Sequence, residues 1–218
     1  MPQPNPPSSR ADRARATRQH LIDTTIDVVR ARSYGAATLF EVAKAAGVTP
    51  GALQHHFGSR AVLMMEVLQS ILLAPPGDAL PWPDAAVPLP QRATQFLAVL
   101  WARVYEPPRF LAAWSVYFGA AAEETLQPQI AEMRGALAAS LREAFGAVFP
   151  EAQGRADLPA FVDLVLASLR GIGVSRLFAV DAAAEAAQRQ QLAGVIVRWC
   201  ADAAPNTPST HQPKRAKP

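Results

Sequence analysis

Gly47 and Pro50 stand three residues apart, and they leave the chain around them little choice of fold. Glycine accepts the left-handed conformation that commonly closes a helix, while proline is tolerated best at a helix's first position, where its missing N–H costs nothing. One helix is therefore expected to end at Gly47 and another to start at Pro50, with Thr49 as its cap. Only a tight turn, Ala46 to Val48, fits between them.

The residues on either side complete the pattern. Thr38 caps the upstream helix, where Val42 and Ala46 share a face with Leu39 and Ala43 beside them, the spacing of a buried stripe. In the downstream helix Leu53 and Phe57, four residues apart, fall on one inward face. Ala52, Gln54, His55 and His56 lie between those anchors and form a polar, lightly built surface. A DNA major groove admits one helix and offers base edges to side chains of this kind. The stretch from Thr38 to Arg60 thus has the outline of a helix-turn-helix.

With Tyr34-Gly35, Thr38, EVAKAAGVTPGALQHHF, Ser59-Arg60 and Leu63 in place, the segment from Arg18 to Leu68 resembles the TetR family of bacterial transcription regulators. The resemblance covers about a quarter of the chain. It implies a three-helix DNA-binding domain at residues 18–60, with Arg18, Thr38, Thr49, Pro50, Gly51, Ala52, Gln54, His55, His56 and Arg60 at the DNA. Two positions depart from the family pattern: Gln54 replaces the usual phosphate-touching tyrosine, and Arg60 replaces the usual lysine. Arginine keeps the charge and adds a fork suited to phosphate. Glutamine can donate to a phosphate or read adenine through its paired donor and acceptor.

The charge is distributed as such a reading requires. Residues 1–60 hold eight Lys or Arg against four Asp or Glu, residues 61–204 hold ten against fourteen, and the last fourteen residues add three cations. A basic front on a mildly acidic body suits a protein that meets phosphates with one end. No apolar run approaches the roughly 20 residues that cross a bilayer, and MPQPNPPSSR lacks the apolar core of a secretory signal, so a cytoplasmic protein without membrane contact is expected. Cys200, the only cysteine, excludes an intramolecular disulfide.

Prolines punctuate an otherwise helical chain. Residues 1–17 and 205–218 are read as disordered tails, and Ala74 to Pro90 as an extended loop in which Trp82 serves as a packing anchor. Helices are expected from Arg18 to near Tyr34, Arg60 to Leu73, Gln91 to Glu106, Arg109 to Ala122, Leu126 to Phe149, Leu158 to Val180 and Ala183 to Ala203. The fold class is expected to be all-α, and the resemblance implies that the small DNA-binding domain is followed, over residues 61–204, by a helical ligand-binding and dimerisation domain.

The middle helices concentrate the aromatic residues, which serve either as ordinary core or as the wall of a ligand cavity. The resemblance implies a small-molecule site there, and Trp101, Tyr105, Trp114, Phe118 and Met133 are the candidates for a small, largely apolar effector. Small residues at Ala167, Ser168, Gly171 and Gly173, and the face of Leu192, Val195, Ile196 and Trp199, suit close helix contact. In the family the corresponding two helices form a four-helix bundle with their symmetry mates, which implies a homodimer on a palindromic double-stranded operator, acting as a repressor. No phosphate loop, nucleophile elbow or paired metal-ligand motif is present, and His55 and His56 diverge by about 100° on a helix. No catalytic residue, metal or cofactor is therefore assigned. The alternative is a dimeric helical ligand-binding or interaction protein with weakened DNA binding, for which Gln54 is the motivating departure.

Overall fold

A computed structural model describes residues 10–72, 80–121 and 123–202. The order is α1 (Arg10–Ala31), α2 (Leu39–Ala46), α3 (Pro50–Phe57), α4 (Arg60–Leu72), α5 (Leu89–Leu100), α6 (Arg109–Ala120), α7 (Gln127–Val148), α8 (Leu158–Ser175) and α9 (Ala182–Ala201). The chain is all-α, with no strand among the described residues.

α1 begins earlier than expected. The segment from Arg10 to Thr17, assigned above to a disordered tail, is already helical, because it is built from good helix formers with neither glycine nor proline to stop them. Pro2 to Ser9 and the tail from 205 onward lie outside the described residues, as does most of the stretch between α4 and Leu80. Leu21, Ile22, Ile26 and Val29 turn inward from α1, and the buried Thr25 hydroxyl donates to the Leu21 carbonyl at 2.7 Å.

The turn between α2 and α3 forms as the residues dictate. The Thr38 side chain accepts from the Glu41 N–H, Gly47 sits at φ 69°, and the Thr49 side chain accepts from the Ala52 N–H. Leu53 and Phe57 are buried against Val42 and Ala43. That apolar cluster does not stop at residue 60. It continues through Leu63, Met64, Val67 and Leu68 of α4 and takes in Ala112, Ala113, Val116 and Ala120 of α6.

α6 therefore faces two cores. Its alanines and Val116 pack on the N-terminal helices, while Phe110 belongs to the second cluster, with Trp114 packed against it. This second core stacks rings: Trp82 lies over Phe96 with centroids 5.0 Å apart, Phe145 meets Phe149 at 4.4 Å, and Phe161 lies parallel to Trp199 at 4.0 Å. Trp82 is thus a packing anchor, and it also lines the cavity described below.

Two elements depart from the sequence reading. The expected helix from Gln91 to Glu106 ends as α5 at Leu100 and continues over Trp101–Tyr105 as a wider turn of π-helix, in which the Glu106 N–H reaches the Trp101 carbonyl at 2.9 Å. Pro107 and Pro108 follow at once and prevent the ladder from continuing. α8 stops at Ser175, leaving Leu177, Phe178 and Val180 exposed beyond it.

α8 also corrects the statement about apolar runs: its 18 residues, with mean hydropathy 1.5, are long and apolar enough to cross a membrane. Its packing is that of a core helix. Phe161, Val162, Val165, Leu166 and Leu169 are buried among neighbouring helices, and Asp163 pairs with Arg142 of α7 at 2.6 Å.

Candidate functional site

α3 presents its outer face to solvent. Thr49, Pro50, Gly51, Ala52, Gln54 and His55 are all exposed, while His56 is half-buried beside Phe57. Capping at both ends fixes this short helix: Thr49 closes its start, and the Gly58 N–H donates to the Gln54 carbonyl at its end. Its N-terminal amides carry the positive end of the helix dipole, and no acidic residue stands in the first turn to offset it. Thr38, although exposed, is engaged in capping α2. Lys44, in the last turn of α2, is also exposed.

The two arginines offered to phosphate are held within the fold. Arg18 forms a two-pronged pair with Glu66 of α4, with Nε at 2.7 Å from Oε2, donates to the His56 carbonyl, and covers the Phe57 ring at 4.4 Å. Arg60 donates to the carbonyls of Ala37 and Tyr34 at 3.1 and 2.7 Å and pairs with Glu123 at 2.7 Å. Its guanidinium lies 4.0 Å from the centre of the Tyr34 ring. Both side chains therefore orient α3 and the turn before α2. Glu66, Glu123 and Tyr34 were not singled out from sequence, because their partners lie far away along the chain.

Behind these helices lies a cavity of about 1220 Å³. Its wall includes Tyr105 from the π-turn, Phe110, Trp114 and Tyr117 from α6, Leu141 from α7 and Arg170 from α8. Leu72, the last residue of α4, is also part of the wall. One helix thus runs from the turn after α3 to the cavity.

Of the five effector candidates, Tyr105 and Trp114 line this cavity. The other three stand elsewhere. Trp101 is buried between the guanidinium of Arg189, 4.3 Å from its ring, and Tyr105. Met133 is packed into the N-terminal core cluster. Phe118 is 65% exposed and lines a separate surface cleft with Tyr34, Arg60 and Glu123. Phe118 stands one turn beyond Trp114, with ring centres 5.4 Å apart, at the exposed edge of that side of α6. Tyr117 and Arg170, which do line the cavity, were passed over; Arg170 interrupting the apolar face of α8 was the available signal.

Burial sets the chemistry of the phenols. It pushes the Tyr105 hydroxyl up to about 12 and raises that of Tyr117, in both cases against the opposing pull of nearby Arg170. Both remain neutral donors at ordinary pH. Burial, reinforced by the hydrogen bond to Glu123, pushes Tyr34 up to about 12 as well.

Residues 21–67 match the sequence model of bacterial regulatory proteins of the tetR family. The HTH-type transcriptional regulator BetI from Rhizobium meliloti is 29% identical over 104 residues, 48% of this chain and 51% of that protein. The uncharacterized HTH-type transcriptional regulator TtgW from Pseudomonas putida is 42% identical over 62 residues, 28% of this chain and 43% of that one. The chain thus spans about half the length, or less, of the curated relatives it matches. In fold it is similar over much more of its length to a transcriptional regulator from Rhodococcus sp. Rha1, with TM-score 0.67 at 21% identity, covering 84% of this chain and 96% of that one. The multidrug binding protein EbrR complexed with imidazole superposes with TM-score 0.59 at 22% identity, covering 88% and 97%. Its helix-turn-helix region thus matches the tetR family of bacterial regulatory proteins in sequence, and its helical architecture as a whole is similar in fold to that of the Rhodococcus regulator.

Proposed function

We propose that this protein is a dimeric, ligand-responsive transcription regulator, a repressor released from a palindromic DNA operator when an effector fills the cavity among α4 to α8. The observation that carries the proposal is the continuity of α4. It starts with Arg60, tied to the turn before α2, and ends at Leu72 in the cavity wall. A ligand that fits better with α4 displaced lowers the DNA-competent fraction by its differential affinity for the two states.

Reading falls to α3. Gln54 and His55 face the bases, the α3 N-terminus and Lys44 meet phosphates, and Arg18 and Arg60 hold the helix in place. Dimerisation falls to α8 and α9. Leu164 on α8 and Leu177 and Phe178 just beyond it are 58, 51 and 90% exposed, an apolar surface on the helices the family pairs about a two-fold axis. The names of BetI, a transcriptional regulator, and EbrR, a multidrug binding protein, agree with both halves of the reading. A regulator that works on DNA in this way belongs in the cytoplasm and needs no catalytic group.

One observation favours the alternative of a ligand-binding protein with a weakened reader: both arginines expected at phosphate are already occupied, and Gln54 stands where a tyrosine is usual. Nuclease footprinting on DNA flanking the protein's own coding region separates the two. Protection of a stretch with two-fold symmetry supports the regulator, and absence of any localised protection supports the alternative.

A further inference from the structure

The cavity wall carries more positive charge than its neighbours neutralise. Among the described residues, Arg134, Arg142, Arg170 and Asp163 are its charged residues. Arg142 and Asp163 account for each other, with contacts at 2.6 and 2.8 Å from one guanidinium nitrogen to the two carboxylate oxygens. Arg134 is exposed and lies 5.6 Å from the centre of the Tyr117 ring. Arg170 is half-buried, and among the described residues it has neither a carboxylate partner nor a hydrogen bond; its recorded interactions are with the phenols of Tyr105 and Tyr117. An incompletely solvated, unpaired guanidinium is costly to keep and is stabilised by any anion that reaches it.

A second group points the same way. Trp114 lines the cavity, and its Nε1–H is buried with no partner among the described residues. Buried donors without acceptors are uncommon, since nearly all such groups are satisfied in folded proteins. The polar groups of Arg170, Trp114, Tyr105 and Tyr117 are thus donors at ordinary pH, and the one carboxylate of the wall among the described residues is taken by Arg142. Around them the surface is apolar: Leu72, Leu80, Trp82, Leu100, Phe110 and Leu141. At about 1220 Å³ the space exceeds the range of roughly 300–1,000 Å³ usual for drug-sized ligands, which suits an elongated or bulky body.

We infer that the effector is an amphipathic anion, a bulky or long apolar body ending in one carboxylate, with Arg170 as its charge partner and the Trp114 indole as a further donor. The inference rests on the proposed reading of this cavity as the effector site. It runs against what an aromatic wall alone suggests: Trp82, Phe110, Trp114 and Tyr117 would welcome an organic cation, but the excess of arginines opposes one. A guanidinium hydrogen-bonded to a carboxylate in a partly water-excluded site distinguishes that anion from an uncharged analogue by about tenfold or more.

The test is calorimetric titration of the full chain, without DNA, with three probes of equal chain length: dodecanoate, dodecanol and dodecyltrimethylammonium. Dodecanoate is expected to bind about tenfold tighter than dodecanol, and the cation weakest. Arg170→Gln should lower dodecanoate affinity to that of the alcohol while leaving alcohol binding within about twofold; circular dichroism confirms that the variant folds. Trp114→Phe, which keeps a ring and removes the N–H, should weaken dodecanoate severalfold. Equal affinity for all three probes, tighter binding of the cation, or a carboxylate preference that survives Arg170→Gln overturns the assignment of the anion and leaves the cavity as a ligand site. If none of the probes binds, the cavity reading falls with it.

Discussion

Arg60 and Glu123 meet at 2.7 Å and join the first residue of α4 to the turn that leads into α7. The same Glu123 oxygen accepts from the Tyr34 hydroxyl at 2.6 Å, so one carboxylate ties together the loop before α2, the start of α4 and the end of α6. Ala120 and Ala121, three and two residues before it, line the cavity. This knot, α4 and the packing of α6 on the N-terminal helices physically connect the cavity with α2 and α3.

Glu123→Gln keeps the shape and removes the charge. The pair is partly open to water, with side chains 25 and 33% exposed, so the expected loss of stability is about 1 kcal/mol, a fall in Tm of roughly 2–4 °C. The larger effect should appear in coupling. DNA affinity without effector stays within about threefold, well under 1 kcal/mol, whereas its response to effector shrinks. Thermal melts and paired DNA titrations with and without effector measure both.

Gly119 lies against Tyr34 so closely that a Cβ built on it would stand 2.1 Å from the ring. The Arg60 guanidinium lies 4.0 Å from the centre of the same ring, and the Tyr34 hydroxyl is tied to Glu123, so the ring cannot retreat freely. Gly119→Ala should therefore destabilise the fold by about 1–3 kcal/mol. Gly146→Ala, where nothing lies within 4 Å of the added carbon inside α7, should be neutral or stabilising by about 0.5–1 kcal/mol. Denaturant unfolding of the two variants provides the comparison.

Tyr34 and Tyr105 both titrate near 12, against about 10 for a free phenol. A phenol whose folded value is raised holds its proton more tightly in the native state, so the associated stability is complete below pH 10 and is lost as pH rises toward 12. Stability should drop across that alkaline window, and less so in Tyr105→Phe. Ultraviolet phenolate titration of the wild type should show ionisation delayed to about pH 12, with part of that late signal missing in the variant.

At the reader, Gln54→Ala and His55→Ala remove exposed side chains and should leave the melting temperature unchanged while weakening operator binding, each by about 1–3 kcal/mol where the side chain meets a base. Lys44→Ala should weaken binding to all sequences alike and reduce the salt slope by about 1. Thr49→Ala removes a cap as well as a contact and should cost about 1 kcal/mol in stability besides. Melting curves alongside DNA titrations separate the three behaviours.

The helix-turn-helix was legible in sequence because its constraints are local. Gly47, Thr49 and Pro50 act within one turn of the residues they organise, and Leu53 and Phe57 follow the helical period. The ends of α5 and α8 were less so: Pro107 announces a stop, but not that the chain reaches it through a π-turn. The cavity was partly legible. Aromatic enrichment pointed to the right helices, yet which face of α6 lines the space depends on how that helix is shared between two cores, and this puts Trp114 on the wall and Phe118 on the outside. The roles of Arg18 and Arg60 were read as contacts with DNA because their acidic partners, Glu66 and Glu123, come from distant segments. No local pattern records such pairing.

The most direct measurement of DNA reading is fluorescence anisotropy of the full chain on DNA from around its own coding region and on a scrambled duplex, at about 50 and 200 mM salt, for wild type and Gln54→Ala/His55→Ala. A working reader binds its own DNA at least about 10³-fold more tightly than the scrambled duplex, loses affinity steeply as salt rises, and loses its preference in the double variant. Equal, weak binding to both duplexes by the wild type, unchanged by the double substitution, would contradict the assignment of α3 as a DNA-reading helix.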